Sequence, residues 1–241
     1  MSIPAPDIAV PARARLLARG AAVSPVWVNG VGGVTVRTAD GRFIKVGPRH
    51  RETSMAAEAD RMRWAAPHTA VPEVLEVGDE GDAEWLVTRA LPGLSAVDPR
   101  WLREPATAVR AVGAGLRALH DALPVADCPF DWSVPARIAN AAARGILAPD
   151  ALQTPPPIDL LVVCHGDPCA PNTLLNSQGD ALAHVDLGAL GVADRWADIA
   201  VAAMSTTWNY GPGWERTLMD AYGLEPDEER LAYYRDLWNA T

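Results

Sequence analysis

The sequence predicts an α+β chain of two lobes, a small antiparallel β lobe followed by a mostly helical one. Three observations predict it. Residues 23–46 hold three short runs rich in Val and Ile, VSPVWVNG, GVTVRT and RFIKVG, and Ala39-Asp40-Gly41 supplies turn chemistry between the last two. Residues 51–66 then change to Ala, Met, Glu and Arg without Gly or Pro, and the pattern stops at Pro67 as a helix would. Beyond Pro92-Gly93 the composition shifts toward helix formers, so the lobes are expected at 1–92 and 93–241.

Each element follows in order. After the first helix, the runs EVLEVGD and AEWLVTRAL complete a β-β-β-α-β-β order, an antiparallel sheet with one helix against it. In the second lobe Pro105 stands near a helix start, and the segment to Leu119 is rich in Ala, Leu and Arg, with Gly113 and Gly115 as its weak points. The proline cluster in LAPDALQTPPPIDL reads as a loop that delivers the chain into the apolar run LLVVC. A polar loop follows, then short strands at NTLLN and ALAHVDL. From Arg195 onward the chain reads mostly helical.

Acidic residues outnumber basic ones by 30 to 21, a formal charge of -9. That balance argues against a nucleic-acid groove, which needs Lys and Arg stripes, and favours a cationic partner. Three cysteines, Cys128, Cys164 and Cys169, are too few and odd in number for a disulfide framework, so a reducing, cytoplasmic setting is expected. The stretch MSIPAPDIAVPARARLL carries prolines and an aspartate where an export signal needs an apolar core, and no apolar run approaches the roughly 18 residues of a membrane span. No membrane association is expected. Oligomeric state is not legible, with a monomer as the expectation.

The chemistry concentrates in VVCHGDPCAPNTLL, residues 162–175. Asp167 and Asn172 stand at the D-x-x-x-x-N spacing with which protein kinases place a catalytic Asp and a metal-binding Asn on one loop. Asp186-Leu187-Gly188 follows the next apolar run, at the position of the kinase D-F-G metal ligand. Upstream, Lys45 ends the run Arg42-Phe43-Ile44-Lys45, and Glu58 lies in the helix after it, the order of a phosphate-binding lysine and its helix-borne glutamate. Before both stands Gly30-Val31-Gly32-Gly33, where glycine lets backbone amides approach phosphate oxygens. Phosphoryl transfer needs cations on the developing charge, oxygen ligands for Mg²⁺ and a carboxylate beside the attacking hydroxyl.

On CHGDPCAPN (164–172), HVDLGALGVADRWADIA (184–200), EADRMRWA (58–65) and CPFDW (128–132), the chain resembles the aminoglycoside O-phosphotransferases, over nearly its whole length. The resemblance implies a protein-kinase-like fold, ATP and Mg²⁺ as cofactors, nucleotide between the lobes, and an aminoglycoside held by the second lobe. It implies Asp167 as the catalytic base or hydroxyl-orienting group, Asn172 and Asp186 as magnesium ligands, and Lys45 on the α and β phosphates, held by Glu58. Arg89 and Leu91 would offer their backbones to adenine, and His165 and Asp198 would brace the catalytic loop. Within the family CHGDPC and D-L-G look most like the streptomycin 3''-phosphotransferases, with the kanamycin and neomycin 3' enzymes close behind. The chain departs from relatives at Ala189, where many have Arg, in the tail Leu237-Trp238-Asn239-Ala240-Thr241, and in a short segment between Trp132 and Leu160.

Blander readings stand beside these. The glycine run alone is an ordinary turn and lacks the third kinase glycine; Lys45 and Glu58 alone are ordinary surface charges. Cys164, His165 and Cys169 lack a second pair at zinc spacing, so a packed Cys and a hydrogen-bonding His are expected there. His120 and His184 receive no role, the tryptophans read as core and lobe packing, and Asp131, Asp194, Glu215, Asp220 and Asp236 read as solvated. Two further function classes stay open: a kinase of another small molecule, and a non-catalytic, kinase-like nucleotide-binding module.

Overall fold

The structure is a computed structural model that describes residues 8–50 and 54–241. It divides into two compact units: residues up to 67 with 71–91, and residues 68–70 with 92–241.

The first unit contains helix α1 (Ala12–Leu17), strands β1 (Val23–Val28), β2 (Val34–Thr38) and β3 (Arg42–Pro48), helix α2 (Met55–Ala65), and strands β4 (Val74–Glu80) and β5 (Ala83–Arg89). The strands form one antiparallel sheet in the order β1-β2-β3-β5-β4. The helix expected from Arg51 starts at Met55, and residues 51–53 lie outside the described residues. Ser54 caps it, its side chain accepting the Ala57 N–H. Alternation along β3 sends Ile44 and Val46 into a core shared with Val36, Val87 and the α1 residues Ala14, Leu17 and Ala18. Lys45, between them in sequence, therefore projects from the other face. Helix α1 has no counterpart among the sequence expectations. It is tied down by Arg42, whose guanidinium donates to the carbonyls of Leu17 and Ala18 at 3.0 Å each and also pairs with Asp40. Arg42 and the Thr38 hydroxyl together hold the Asp40 carboxyl at about 2.

The second unit contains β6 (Leu94–Ser95), α3 (Pro99–Leu102), α4 (Pro105–Ala122), α5 (Val134–Ala143), β7 (Leu161–Cys164), β8 (Thr173–Leu175), β9 (Ala181–His184), β10 (Gly191–Asp194), α6 (Trp196–Tyr210), α7 (Glu215–Tyr222) and α8 (Glu228–Ala240). Its strands make two small antiparallel sheets, β6-β8-β9 and β7-β10. The two glycines that weakened α4 as a helix are packing devices. A Cβ at Gly113 would lie 2.4 Å from the Leu218 carbonyl oxygen of α7, and one at Gly115 would lie 2.7 Å from Ala181 Cβ of β9. Helix α6 is buried along most of its length and forms the centre of this unit. No helix among the described residues is long and apolar enough to cross a membrane.

Two expectations need correction. Asp194 is not solvated: it is 4% exposed, its Oδ2 accepts the Asp159 N–H at 2.8 Å, and Arg230 pairs with it at 3.3 Å. Among the tryptophans, Trp101 and Trp196 are core, but Trp208 on α6 is 57% exposed.

Candidate active site

In the first unit, β3 and α2 bring Lys45 and Glu58 together. Lys45 Nζ donates to Glu58 Oε1 at 2.7 Å, with the carboxylate nearly buried and the lysine partly so. An ion pair this shielded holds its geometry better than a surface pair. The bend Gly30 to Gly33 connects β1 and β2, and Gly32 has φ +86. Asn29 organises the bend: its Oδ1 accepts the amides of Gly33 at 2.6 Å and Val31 at 3.2 Å, while its carbonyl accepts that of Gly32. Arg89 ends β5, where its N–H donates to the Glu73 carbonyl and its side chain pairs with the Glu73 carboxylate at 2.6 Å. Leu91 follows, half-buried.

In the second unit, β7 delivers the chain into the loop 165–172, and α6 braces that loop from its buried side. Asp198 lies in the first turn of α6 and is fully buried. Its Oδ2 accepts the His165 N–H at 2.6 Å and its Oδ1 the Gly166 N–H at 3.0 Å. Burial would raise its pKa. The hydrogen bond from His120 and that from the Gly166 amide outweigh it, so the carboxyl sits below its ordinary value. Further along α6, Ser205 Oγ accepts the Ala170 N–H at 2.8 Å. The His165 ring has both nitrogens engaged: Nε2–H donates to the Val185 carbonyl at 3.0 Å and Nδ1 accepts the Asp167 N–H at 3.2 Å. That leaves the ring no lone pair for a metal, and the three cysteines are free thiols.

Gly166 explains how the loop closes against the D-L-G segment. Its φ is +85, and a Cβ there would lie 2.3 Å from the Ala189 carbonyl oxygen. Only glycine allows this approach. Asp186, at φ 65, also adopts left-handed backbone, which Asp tolerates better than most residues and which ends the extended run begun by β9.

The loop presents one oxygen set. Asn172 Nδ2 donates to the Asp167 carbonyl at 2.9 Å and to Asp167 Oδ2 at 3.2 Å, which leaves its Oδ1 as the side chain's ligand atom. Asp167 Oδ1 is shielded from solvent and accepts no hydrogen bond. Burial raises the Asp167 pKa, and the negative charge of Asp186 pushes the same way. The hydrogen bond from the adjacent Cys169 thiol, the nearby His165 ring and the Asn172 amide oppose them. Asn172 Oδ1 and Asp186 thus offer hard oxygen donors of the kind that suits Mg²⁺.

Two participants were missed in the sequence. His120, given no role there, faces Asp198 Oδ2 through Nε2 at 3.0 Å and Tyr222 Oη through Nδ1 at 2.8 Å. Ser205 has no counterpart among the sequence expectations. Neither carries a local motif, and the partners of His120 lie 78 and 102 residues away. The altered tail packs back onto its own unit. Leu237 is core, Thr241 Oγ1 accepts from Arg137 at 3.0 Å, and the Arg137 guanidinium lies 5.0 Å from the Trp132 ring and 5.8 Å from that of Trp238.

The chain is similar to known proteins over most of its length. The model of the phosphotransferase enzyme family matches residues 33–234. An aminoglycoside 3'-phosphotransferase of Streptomyces fradiae is 38% identical, over 80% of this chain and 83% of that protein. A streptomycin 3''-kinase of Streptomyces griseus is 35% identical, over 86% of this chain and 87% of its own. Among solved structures, the aminoglycoside phosphotransferase APH(3'')-Id from Streptomyces rimosus, in complex with ADP and streptomycin, superposes with a TM-score of 0.69 at 26% identity, covering 92% of this chain and 94% of that one.

Proposed function

The chain belongs to the phosphotransferase enzyme family, among its aminoglycoside phosphotransferases, and from that premise we propose that it transfers the γ-phosphoryl group of ATP to an aminoglycoside hydroxyl, with the 3''-hydroxyl of streptomycin favoured. The observation that carries the reading is the Asp167 carboxylate, held at Oδ2 by Asn172 and with no hydrogen-bond partner at Oδ1, on a loop whose Gly166, Asp167 and Ala170 amides are engaged. An incoming alcohol would donate to this carboxylate. Asn172 fixes one carboxylate oxygen, so the acceptor hydroxyl is oriented by a side chain that is already held.

The remaining roles follow from the same chemistry. Asn172 Oδ1 and Asp186 would hold Mg²⁺, which supplies charge neutralisation on the phosphate oxygens. Lys45 would meet the α and β phosphates, its ammonium held by Glu58. Gly30, Gly32 and Gly33 would face the phosphates through the bend that Asn29 shapes; the amides of Val31 and Gly33 would exchange Asn29 for phosphate oxygens. Arg89 would meet adenine through its carbonyl, since its N–H is taken by Glu73, and Leu91 through its backbone. His165 and Asp198 hold the loop that carries Asp167. Transfer is direct, with no covalent enzyme intermediate: Cys169 beside Asp167 is held as a neutral thiol, its pKa driven far up by burial and the Asp167 charge.

A coupled ADP-release assay over a panel of aminoglycosides, followed by phosphorus NMR of the product, tests the reading. Phosphate on the streptomycin 3'' position supports it. A second reading, transfer to the 3'-hydroxyl of the kanamycin and neomycin class, is favoured by the 38% identity to the Streptomyces fradiae enzyme and would show as phosphate there. ATP binding with no turnover of any acceptor would identify a binding module instead. Asp167→Ala is expected to lower turnover by about two to four orders of magnitude with ATP binding largely intact. Near wild-type turnover by that variant would refute the role of Asp167.

A further inference from the structure

Behind the catalytic loop, four elements contribute to one buried hydrogen-bonded series. Tyr222, the last residue of α7, places its hydroxyl 2.8 Å from His120 Nδ1 on α4. His120 Nε2 is 3.0 Å from Asp198 Oδ2 on α6, and Asp198 accepts the amides of His165 and Gly166, which immediately precede Asp167. Tyr222 is 2% exposed, His120 5% and Asp198 0%. The glycine at 113 lets α7 approach α4 this closely, since a Cβ there would also lie 3.2 Å from the Tyr222 nitrogen. Gly223, at φ +86, then ends α7 directly after the tyrosine.

We propose that Tyr222 is a positioning residue for phosphoryl transfer: its hydroxyl anchors the His120 ring at Nδ1 while Asp198 engages Nε2, and by fixing that ring's orientation it steadies Asp198 and the amides that aim Asp167. A neutral imidazole has one donor and one acceptor nitrogen. With the Tyr222 O–H donating to Nδ1, the ring hydrogen resides on Nε2 and faces a carboxylate oxygen. The opposite tautomer would set a nitrogen lone pair against that oxygen at 3.0 Å. Burial keeps the phenol protonated, its pKa raised to about 12, so the donor is present throughout the neutral range. Without the hydroxyl, Nδ1 loses its partner in a site shut off from water; the Asp198 carboxylate still favours hydrogen on Nε2, but the ring is then held at one nitrogen only. Asp198 then shares its second oxygen between an amide and a ring that no longer holds one orientation.

The kinetic part of this inference rests on the proposed transferase activity; the spectroscopic part does not. Nitrogen-15 NMR of the imidazoles in the unsubstituted protein should show His120 as the Nε2–H tautomer with a slowly exchanging ring proton. Observation of the Nδ1–H tautomer overturns the proposal whatever the acceptor is. Tyr222→Phe, which keeps the ring, should speed exchange of that ring proton as His120 loses one of its two anchors, and lower kcat about three- to tenfold, with the KM for ATP unchanged. In a His120→Gln background, where the Nδ1 acceptor is gone and a donor toward Asp198 is kept, Tyr222→Phe should change kcat less than twofold. An undiminished kcat in the single variant, or the same loss in both backgrounds, would show that the tyrosine only packs.

Discussion

Asp198 and Asp194 are four residues apart in one acidic run, yet each is buried against different partners. Asp198 takes the His165 and Gly166 amides and faces His120, so only a carboxylate presents acceptors in every direction required. Asp198→Asn would turn an NH₂ toward an existing donor, and its expected cost is at least about 2 kcal/mol of stability with a large loss of turnover. The pH dependence follows from the sign of the shift. The folded pKa lies below the ordinary carboxylate value, so this stabilisation is complete above about pH 4 and is lost as pH falls through the lowered pKa. Thermal midpoints of wild type and Asp198→Asn should therefore differ most near neutrality and converge in acid. A gap that widened below pH 4 would contradict the assignment.

Among the elements, α4 shows packing overriding propensity. Alanine is about 1 kcal/mol better than glycine inside a helix, but a Cβ at 113 would lie 2.4 Å from the Leu218 carbonyl oxygen. Gly113→Ala is therefore expected to destabilise by about 1–3 kcal/mol in denaturant titration, the reverse of the helix scale. In the first unit, the pairing of α2 with β3 makes its own prediction. Glu58→Gln leaves the Lys45 ammonium without its carboxylate, and the KM for ATP should rise about tenfold while the far-UV circular dichroism stays unchanged. The hairpins and α2 were legible because their signals are local: alternation, a turn at Ala39 to Gly41, a stop at Pro67. Helix α5 carries a local signal too, Ser133 capping Ala136 with Pro135 in the first turn, though it has no counterpart among the sequence expectations. Strand β10 had none: four residues, Gly191 to Asp194, are extended because β7 pairs with them.

Across the whole molecule, the two units divide the proposed site residues: the first carries the Lys45–Glu58 pair and the glycine bend, the second the loop of Asp167 and Asn172 with Asp186. The loop is braced by its own side-chain network, so its order does not await a cation. Chelation of Mg²⁺ with EDTA is therefore expected to abolish turnover while shifting the thermal midpoint by less than about 4 °C, the equivalent of roughly 1 kcal/mol or more for a chain of this size. A cooperative loss of fold on chelation would mean that the metal is structural. By itself, the sequence determined the order of the chemical parts, the family and the residue types at Lys45, Glu58, Asp167, Asn172 and Asp186, because spacing within a loop and succession along a chain are one-dimensional facts. Tertiary structure decided which acids are buried, that His120 and Tyr222 stand behind the loop, and that Asp167 keeps one oxygen without a donor. Desolvation and hydrogen bonding depend on neighbours brought from 78 to 102 residues away, and no local pattern records them.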